Sequence, residues 1–279
     1  MISRQTALRQ ASEQLQHLDT PRLDAEVLLT HVLNISRAQL YAWSEKILTD
    51  AQWQQFQTLI SQRIQHKPIA YLTGHKEFWS LDLAVNATTL IPRPETELLV
   101  EQALQYIPSV EQPVIMDLGT GSGAIALALA HECPQAKLIA VDVHPQTLQM
   151  AQHNAEQLQL NNIEFYLSHW FQDIPSCQAD IIVSNPPYIA QNDQHLTQGD
   201  VQFEPQHALV SGQDGLDDIR KITAQAQYFL KPDGYLLFEH GYDQADAVQK
   251  ILATQSFETV ETVRDLAGQA RVTQGQNKT

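Results

Sequence analysis

The sequence predicts an α/β protein in which a mostly parallel sheet follows a smaller helical region. After Pro113, short apolar segments typical of strands alternate with longer segments of helical spacing. This alternation favours a parallel sheet that is covered by helices on both faces. The first ~65 residues show helical spacing alone, which predicts a compact helical bundle.

The helical region is assigned to residues 1–67. Thr20 can cap a helix that has Pro21 at its first position, and Thr49 or Asp50 can start another. Apolar residues recur at helical spacing in both segments: Leu23, Val27, Leu28 and Val32, and then Trp53, Phe56, Ile60 and Ile64.

Residues 68–92 are predicted to form a β-hairpin that links the helical region to residues 93–279. The segments 69–72 and 78–81 are rich in aromatic and β-favouring residues, and Thr73-Gly74 lies between them. The segment 91–97 then leads into a helix.

The remaining chain is predicted to form seven strands and the helices between them. The strands are expected near 113–117, 137–142, 163–167, 179–184, 234–240, 257–263 and 270–274. The helices are expected near 122–132, 145–159, 214–229 and 242–254.

Charge and composition narrow the class of partner. The formal charge of −15 falls wholly on residues 91–279, which hold 24 acidic and nine basic residues. A nucleic-acid binder would show a basic footprint there instead, so direct nucleic-acid binding is not expected.

No apolar run approaches the ~20 residues of a membrane helix, and no signal peptide is evident. Cys133 and Cys177 lack metal or CxxC spacing, so we expect reduced thiols, no metal site and a cytoplasmic protein.

A glycine-rich turn follows the first predicted strand. It reads Asp117-Leu118-Gly119-Thr120-Gly121-Ser122-Gly123 and leads into a helix. The glycines permit a tight turn, and the helix N-terminus offers N–H groups to an anion. Because the spacing is tighter than the dinucleotide GxGxxG pattern, it favours a small carboxylate ligand such as the methionine half of S-adenosylmethionine.

Asp142 ends the second strand, nineteen residues after Gly123. A carboxylate at this position can accept hydrogen bonds from both hydroxyls of a ribose. Alternatively, the glycines form only a tight turn and Asp142 caps the helix that begins at Pro145. Trp170, just after the third strand, can cover an adenine face or fill core.

The fourth strand ends in Asn185-Pro186-Pro187-Tyr188-Ile189. Two prolines remove two N–H donors and prevent a helix, which leaves an amide, bare carbonyls and an aromatic face. The Asn185 oxygen and the Pro186 carbonyl can accept both hydrogens of a planar NH2 group, on which Tyr188 can stack. Such a group belongs to a glutamine amide or to adenine. Alternatively, the motif is a proline-kinked strand exit with a buried tyrosine.

Other candidate groups are weaker. His131, His144, His153 and His169 are scattered and are expected at the surface. Glu239-His240 ends a strand and is interpreted as a helix cap or a solvated pair. No metal-ligand or Ser-His-Asp pattern is present.

Further motifs extend the pattern along the chain, and together they resemble one family. They are Arg22-Leu23-Asp24-Ala25-Glu26, Ile91-Pro92-Arg93-Pro94-Glu95-Thr96-Glu97, Glu204-Pro205-Gln206-His207-Ala208-Leu209, Gly215-Leu216 with Arg220, and Asp265-Leu266-Ala267-Gly268-Gln269-Ala270-Arg271. With the glycine turn and Asn185 to Ile189, they resemble the class I S-adenosylmethionine-dependent methyltransferases. More closely, they resemble the bacterial release-factor glutamine methyltransferases of the HemK family.

The resemblance implies a Rossmann-like seven-stranded sheet whose last strand is antiparallel. It implies methylation of the glutamine amide in the Gly-Gly-Gln motif of class-1 release factors, with S-adenosylhomocysteine as the product. The helical region, 1–67, would recognise this substrate. Gly119, Thr120, Gly121, Ser122, Gly123, Asp142 and Trp170 would bind the cofactor, Asn185 would contact both ligands, and Pro186, Pro187 and Tyr188 would shape the glutamine pocket. His240 departs from an apolar family position, so a local packing change without loss of activity is expected.

Three alternatives stay open. A related enzyme modifies a glutamine of a large-subunit ribosomal protein, but its Asn-Pro-Pro-Tyr is commonly followed by Val-Asp, whereas Ile189-Ala190 follows here. A DNA adenine methyltransferase is disfavoured by the acidic charge, and a non-catalytic S-adenosylmethionine-binding module by the intact Asn185 and Tyr188. Nothing in the sequence indicates an obligate dimer, so a monomer is expected.

Overall fold

The C-terminal two thirds of the chain contains a seven-stranded sheet. The computed structural model describes residues 2–197 and 199–278. The chain divides into two compact units. One contains residues 1–75 and 197–203, and the other contains residues 76–196 and 204–279.

The first unit is helical. Its helices are α1 (Arg4–Gln14), α2 (Pro21–Leu33), α3 (Arg37–Ala42), α4 (Asp50–Ile64) and α5 (Ile69–Thr73). Thr49 caps α4 as predicted, in a reciprocal capping box with Gln52. Thr20 precedes α2 but makes no cap bond, because its hydroxyl donates to Asp24 Oδ1 at 2.7 Å instead.

A buried arginine cross-links this unit. Arg63 Nε donates to Asp24 Oδ2 at 2.7 Å, and its Nη1 donates to Asp200 Oδ1 at 2.8 Å. Arg63 and Asp24 are 8% and 4% exposed. Removing one partner of such a pair leaves an uncompensated charge in the interior.

The predicted strand over 69–72 is wrong, because this segment forms α5. Its aromatic and branched residues pack as a single helical turn, and Gly74 ends it in the left-handed region at φ 78°. The hairpin begins one residue later, with β1 (His75–Phe78) and β2 (Leu81–Ala84). Trp79 and Ser80 form its two-residue turn, both with positive φ.

The second unit contains the sheet and the helices that cover it. Its strands are β3 (Val114–Leu118), β4 (Lys137–Asp142), β5 (Ile163–Leu167), β6 (Ala179–Ser184), β7 (Leu230–Glu239), β8 (Glu258–Arg264) and β9 (Ala270–Gln276). Its helices are α6 (Glu97–Gln105), α7 (Ala124–Glu132), α8 (Pro145–Gln157), α9 (Asp217–Ala226) and α10 (Ala245–Thr254). Short 3-10 helices occur at Pro94–Thr96, Gln194–Thr197 and Gln206–Ala208, and a further one at Val201–Phe203 belongs to the first unit.

The strand order is β5-β4-β3-β6-β7-β9-β8. The pairs from β5 to β7 are parallel, and β9 pairs antiparallel with both β7 and β8. The prediction of a seven-stranded sheet with an antiparallel last strand is therefore confirmed.

Successive strand residues face two separate cores. Ile115 and Leu138 belong to one buried cluster, whereas their chain neighbours Met116 and Ile139 belong to another. Because side chains alternate across a strand, these clusters lie on opposite faces of the sheet. Both faces are thus buried, as expected for a parallel sheet. None of the helices in the described ranges is long and apolar enough to span a membrane.

We predict that Asp24→Asn lowers the free energy of unfolding by about 3 kcal/mol, because Arg63 loses a buried counter-charge. Arg37→Ala is the control: Arg37 also contacts a buried carboxylate, that of Glu26, but its own side chain is 61% exposed. Its loss is expected to cost at most about 1 kcal/mol. Urea denaturation followed by circular dichroism measures both, and equal effects would contradict the role given to Arg63.

Candidate active site

Three strand ends meet at one edge of the sheet. Leu118 pairs with Val141 on one side and with Ser184 on the other. The glycine turn, Asp142 and Asn185 follow these positions directly. Ser184 Oγ also donates to the Leu118 carbonyl at 2.7 Å, which strengthens the pairing at its end. The predicted residues therefore converge where ligands bind in open α/β sheets.

A pocket of about 230 Å³ lies at this edge. Six of the predicted residues line it: Gly119, Gly121, Asp142, Trp170, Asn185 and Pro187. In the part of the chain that the structure describes, the other five predicted residues do not line it. These are Thr120, Ser122, Gly123, Pro186 and Tyr188.

The glycine turn is held from behind by Asp117. This carboxylate is fully buried and accepts hydrogen bonds from Thr120 Oγ1 at 2.7 Å and from the Ala126 N–H at 3.2 Å. Burial raises the pKa of Asp117 to about 7, against the effect of those two donors. Thr120 therefore faces the interior of the turn. The sequence motif includes Asp117 next to the glycine turn, but the hydrogen bonds that Asp117 accepts from Thr120 and Ala126 are not evident from the sequence.

Gly121 and Gly123 occupy positions that favour glycine for different structural reasons. Gly121 has φ 60° and open space where a Cβ would lie, so its backbone faces the pocket. Gly123 has φ 89°, and a Cβ there would come within 2.8 Å of Leu127. Gly123 thus leaves room for Leu127 in the first turns of α7 and for Ala151 of α8, while Gly121 keeps the pocket wall bare.

Asp142 faces the turn. Its Oδ2 accepts the Gly121 N–H at 3.0 Å, and its Oδ1 accepts the His144 N–H at 2.9 Å. Burial raises the pKa of Asp142, and these two bonds oppose the rise. His144, not Asp142, is the N-cap residue of α8, so the alternative of a helix cap is wrong. A carboxylate has about four acceptor positions, which leaves two for ribose hydroxyls.

Trp170 lies between the pocket and the core. Its ring lines the pocket and also packs against the buried cluster on one face of the sheet. The ring lies 3.3 Å from where a Cβ of Gly119 would be. Its Nε1 is buried and has no hydrogen-bond partner among the described residues.

The Asn185 side chain is held by Thr96, a residue outside the Asn185–Ile189 motif. Its Nδ2 donates to Thr96 Oγ1 at 3.3 Å, which uses the donor end of the amide. Tyr188 is half-buried, and its hydroxyl donates to Glu239 Oε1 at 3.4 Å. Burial and the charge of Glu239 raise the pKa of Tyr188. The Tyr188 carbonyl accepts from Gln244 Nε2 at 2.9 Å.

The interpretation of Glu239-His240 as a helix cap or solvated pair is wrong. Glu239 is 1% exposed and His240 is fully buried, because β7 is an interior strand with both faces covered. His240 Nε2 contacts Thr273 Oγ1 at 2.7 Å, and burial lowers its pKa.

The expectation of surface histidines is confirmed for His131, His153 and His169, which are exposed, but not for His144. His144 is half-buried and His207 is exposed, both line the pocket, and their ring centroids are 3.7 Å apart. His169 is exposed but borders the same pocket. The positions of His144 and His169, each next to a strand end, could have indicated this. His207 lies on the 3-10 helix Gln206–Ala208, whose placement depends on tertiary contacts.

Glu204 joins two motifs that are distant in sequence. This buried carboxylate accepts the Ile91 N–H at 3.1 Å and also pairs with Arg93. It therefore fixes the Ile91–Glu97 segment, from which Thr96 reaches Asn185.

Within the described ranges, no group of three or more His, Cys, Asp and Glu residues could hold a metal ion.

The sheet, the glycine turn and the strand-end acid together define a class I S-adenosylmethionine-dependent methyltransferase. Residues 110–278 match the family model described as a methyltransferase domain, and residues 6–74 match the PrmC N-terminal domain. The chain is 50% identical over 269 residues to the release factor glutamine methyltransferase of Escherichia coli K12, with 96% of each chain covered. It is 49% identical over 268 residues to the enzyme of the same name from Salmonella typhimurium, again with 96% of each covered. The chain belongs to the release factor glutamine methyltransferase family.

A solved structure supports the fold alone. A methyltransferase from Pyrococcus furiosus matches 78% of this chain and 98% of its own, with a TM-score of 0.54 and 16% identity.

The cofactor is S-adenosylmethionine, and the pocket fits it. The bare backbone at Gly121, the two acceptor positions left on Asp142 and the Trp170 ring in the pocket wall suit its amino-acid, ribose and adenine parts. When bound, it supplies an electrophilic methyl group.

We predict that Gly121→Ala weakens binding of S-adenosylhomocysteine at least about tenfold, because a methyl group would enter the pocket wall. Gly74→Ala is a matched control, since Gly74 also has positive φ and open space for a Cβ but lies in the helical unit. Each change should cost about 1–2 kcal/mol of stability through backbone strain. Calorimetric titration and thermal unfolding separate the two effects, and equal affinities in both variants would contradict this role of Gly121.

Proposed function

We propose that this protein transfers a methyl group from S-adenosylmethionine to the side-chain amide nitrogen of a release-factor glutamine, that of the Gly-Gly-Gln motif in class-1 release factors. The observation that carries the proposal is the placement of Asn185. It lies in the wall of the cofactor pocket, and the donor end of its amide is engaged by Thr96. The acceptor end, Oδ1, is thus the end available to a substrate N–H.

The chemistry of an amide explains this arrangement. Its nitrogen is a weak nucleophile because the lone pair is delocalised into the carbonyl. Two acceptors that hold both N–H bonds would orient the nitrogen and stabilise the positive charge that develops there. We assign these roles to Asn185 Oδ1 and the Pro186 carbonyl. Transfer would form an N–C bond and break the C–S bond, whose electron pair would leave with S-adenosylhomocysteine, and the nitrogen would lose one proton to solvent.

Pro187 and Tyr188 complete the proposed substrate pocket. Pro187 lines the cavity beside Asn185. Tyr188 is anchored at its hydroxyl by Glu239 and at its carbonyl by Gln244, which fixes the plane of its ring for stacking. A glycine is required beside it, since a Cβ on Gly215 would lie 2.1 Å from the Tyr188 carbonyl oxygen.

We propose that the seven cofactor residues, Gly119 to Gly123 with Asp142 and Trp170, act in two ways. Gly119, Gly121, Asp142 and Trp170 contact the cofactor from the pocket wall. Thr120, Ser122 and Gly123 hold the turn in shape from behind. Thr120 does so through Asp117, and Gly123 through its packing on Leu127 and Ala151.

The substrate class is supported by the names of the relatives, each a release factor glutamine methyltransferase. We further propose that residues 1–67 recognise the release factor, that 68–92 link them to the catalytic domain at 93–279, and that the protein works as a cytoplasmic monomer. The charge of −15 supports a protein substrate over a nucleic acid.

A transfer assay tests the substrate. The protein is incubated with methyl-labelled S-adenosylmethionine and, separately, a class-1 release factor, ribosomes and DNA. Label is expected on the release factor alone, and it should vanish when the Gly-Gly-Gln glutamine is replaced. Label on ribosomes or DNA alone would overturn the proposal, as would label that persists after the replacement.

We predict that Asn185→Ala slows methyl transfer at least about 100-fold but changes cofactor affinity less than about tenfold, because it removes an acceptor for the reacting amide. Asn161→Ala, at an exposed asparagine outside the pocket, should leave both quantities unchanged. Single-turnover kinetics and calorimetry measure the two effects. Equal losses in both would show that Asn185 is chiefly a cofactor ligand.

A further inference from the structure

Two large apolar side chains are exposed at the edge of the sheet that carries the pocket, although neither lines the pocket itself. Leu266 is fully exposed and Tyr242 is 61% exposed. Tyr242 lies on the loop that follows β7, and Leu266 lies on the turn between β8 and β9. The two loops are joined at their base, where the His240 N–H donates to the Arg271 carbonyl at 3.0 Å. We call Tyr242 and Leu266 the apolar rim.

The strand registers place the rim on the glutamine side of the site. Ser184 of β6 pairs with Phe238 of β7, and Phe238 pairs with Thr273 of β9. Asn185 therefore leaves the sheet at the level of Val272, and the turn that precedes β9 extends beyond that level. Because neighbouring strands are about 4.8 Å apart, β9 runs about 10 Å from β6. The cofactor residues on β3 and β4 lie on the other side of β6.

Hydrogen bonds connect the Tyr242 loop to the proposed substrate pocket. Gln244 Nε2 donates to the Tyr188 carbonyl at 2.9 Å, and Gln244 Oε1 accepts the Gly241 N–H at 2.8 Å. The Gln244 N–H in turn donates to the Gly241 carbonyl at 2.9 Å. Gln244 thus closes the turn that carries Tyr242 and joins this turn to Tyr188.

The turn that carries Leu266 is also ordered by hydrogen bonds. Asp265 Oδ1 accepts the N–H groups of Ala267 and Gln269 at 3.0 and 2.9 Å. The Asp265 N–H donates to the Gln269 carbonyl at 2.8 Å, which closes the turn. A partner that covers Leu266 therefore does not have to order this segment first, and binding is stronger for that reason.

We propose that the apolar rim binds the segment of the release factor that flanks the Gly-Gly-Gln glutamine. This inference rests on the proposed function. The rim is continuous with the pocket of Asn185 to Tyr188 through Gln244. Since the rim lies on the side of β6 away from the cofactor, the chain that flanks a bound glutamine can reach it without crossing the cofactor site.

The chemistry of the Gly-Gly-Gln motif favours such a contact. The two glycines offer only backbone atoms, so they contribute no side chain to binding. Affinity then has to come from side chains farther along the substrate. An extended chain covers about 10 Å in about three residues, which brings the first side chains beyond the glycines within reach of the rim. Apolar side chains fit it best, because covering apolar surface is what favours association there.

The test measures methylation kinetics of full-length variants with a class-1 release factor as substrate. Leu266→Ser and Tyr242→Ala should each raise KM about tenfold, because each removes one apolar contact. The values of kcat and of S-adenosylhomocysteine affinity should stay within about twofold of wild type, since the rim touches neither the reacting amide nor the cofactor. Leu266→Met keeps an apolar side chain of similar volume and should keep the wild-type KM.

Two matched controls lie at the opposite edge of the sheet. Val110→Ser and Tyr228→Ala alter side chains that are 49% and 78% exposed. Val110 precedes β3 and Tyr228 precedes β7, so both lie near the starts of parallel strands, away from the pocket. Neither substitution should change KM.

Four results would overturn the inference. They are an unchanged KM in either rim variant, an equal rise of KM in the controls, a loss of cofactor affinity that matches the rise of KM, and a dimer that dissociates on Leu266→Ser. The last result, measured by sedimentation velocity, would show that the rim binds a second copy of this chain.

Failure of this inference and failure of the proposed function give different results. If the wild-type protein methylates the release factor and the rim variants match it, the inference about the rim fails alone. If the wild-type protein leaves the release factor unlabelled, the proposed function fails, and the inference about the rim fails with it.

Discussion

The parallel pairing of β3 with β4 and β6 is the constraint on which the site depends. Because Leu118 is in register with both Val141 and Ser184, the three segments that follow leave the sheet at the same level. The cofactor side of the pocket, on the β3 and β4 ends, thereby adjoins the Asn185 side on β6. A shift of one residue in either pairing would turn every side chain of that strand to the opposite face and separate the two halves.

Two buried carboxylates support the residues at this edge of the sheet, and burying each of them costs free energy of folding. Asp117 holds the glycine turn, and Glu239 accepts a hydrogen bond from the Tyr188 hydroxyl. Burial raises the pKa of each to about 7. For an acid whose pKa rises on folding, the penalty is full above the folded value and is relieved as the pH falls. The site is thus held in shape by groups that reduce stability at neutral pH, as is typical of functional sites.

The elements that the sequence predicted well are those whose signal is local. The strands, the glycine turn and Asp142 could be located because apolar runs and glycine spacing depend on neighbouring residues. The segment 69–72 was predicted as a strand because β-favouring residues do not exclude one helical turn, and packing decided it. The sequence around Glu239 and His207 does not indicate where these residues lie. Glu239 is buried by segments distant in sequence, and the ring partner of His207 is His144.

The family motifs that contain Thr96, Glu204 and Gly215 support Asn185 to Tyr188, where we propose that the substrate glutamine binds. Glu204 fixes the segment that carries Thr96, and Thr96 holds Asn185. Gly215 and Gln244 fit around the Tyr188 carbonyl. An amide nitrogen reacts poorly unless its acceptors are placed accurately, and a strand exit with two prolines cannot brace itself through its own N–H groups. Residues from four distant segments therefore provide the rigidity that Asn185 to Tyr188 lack.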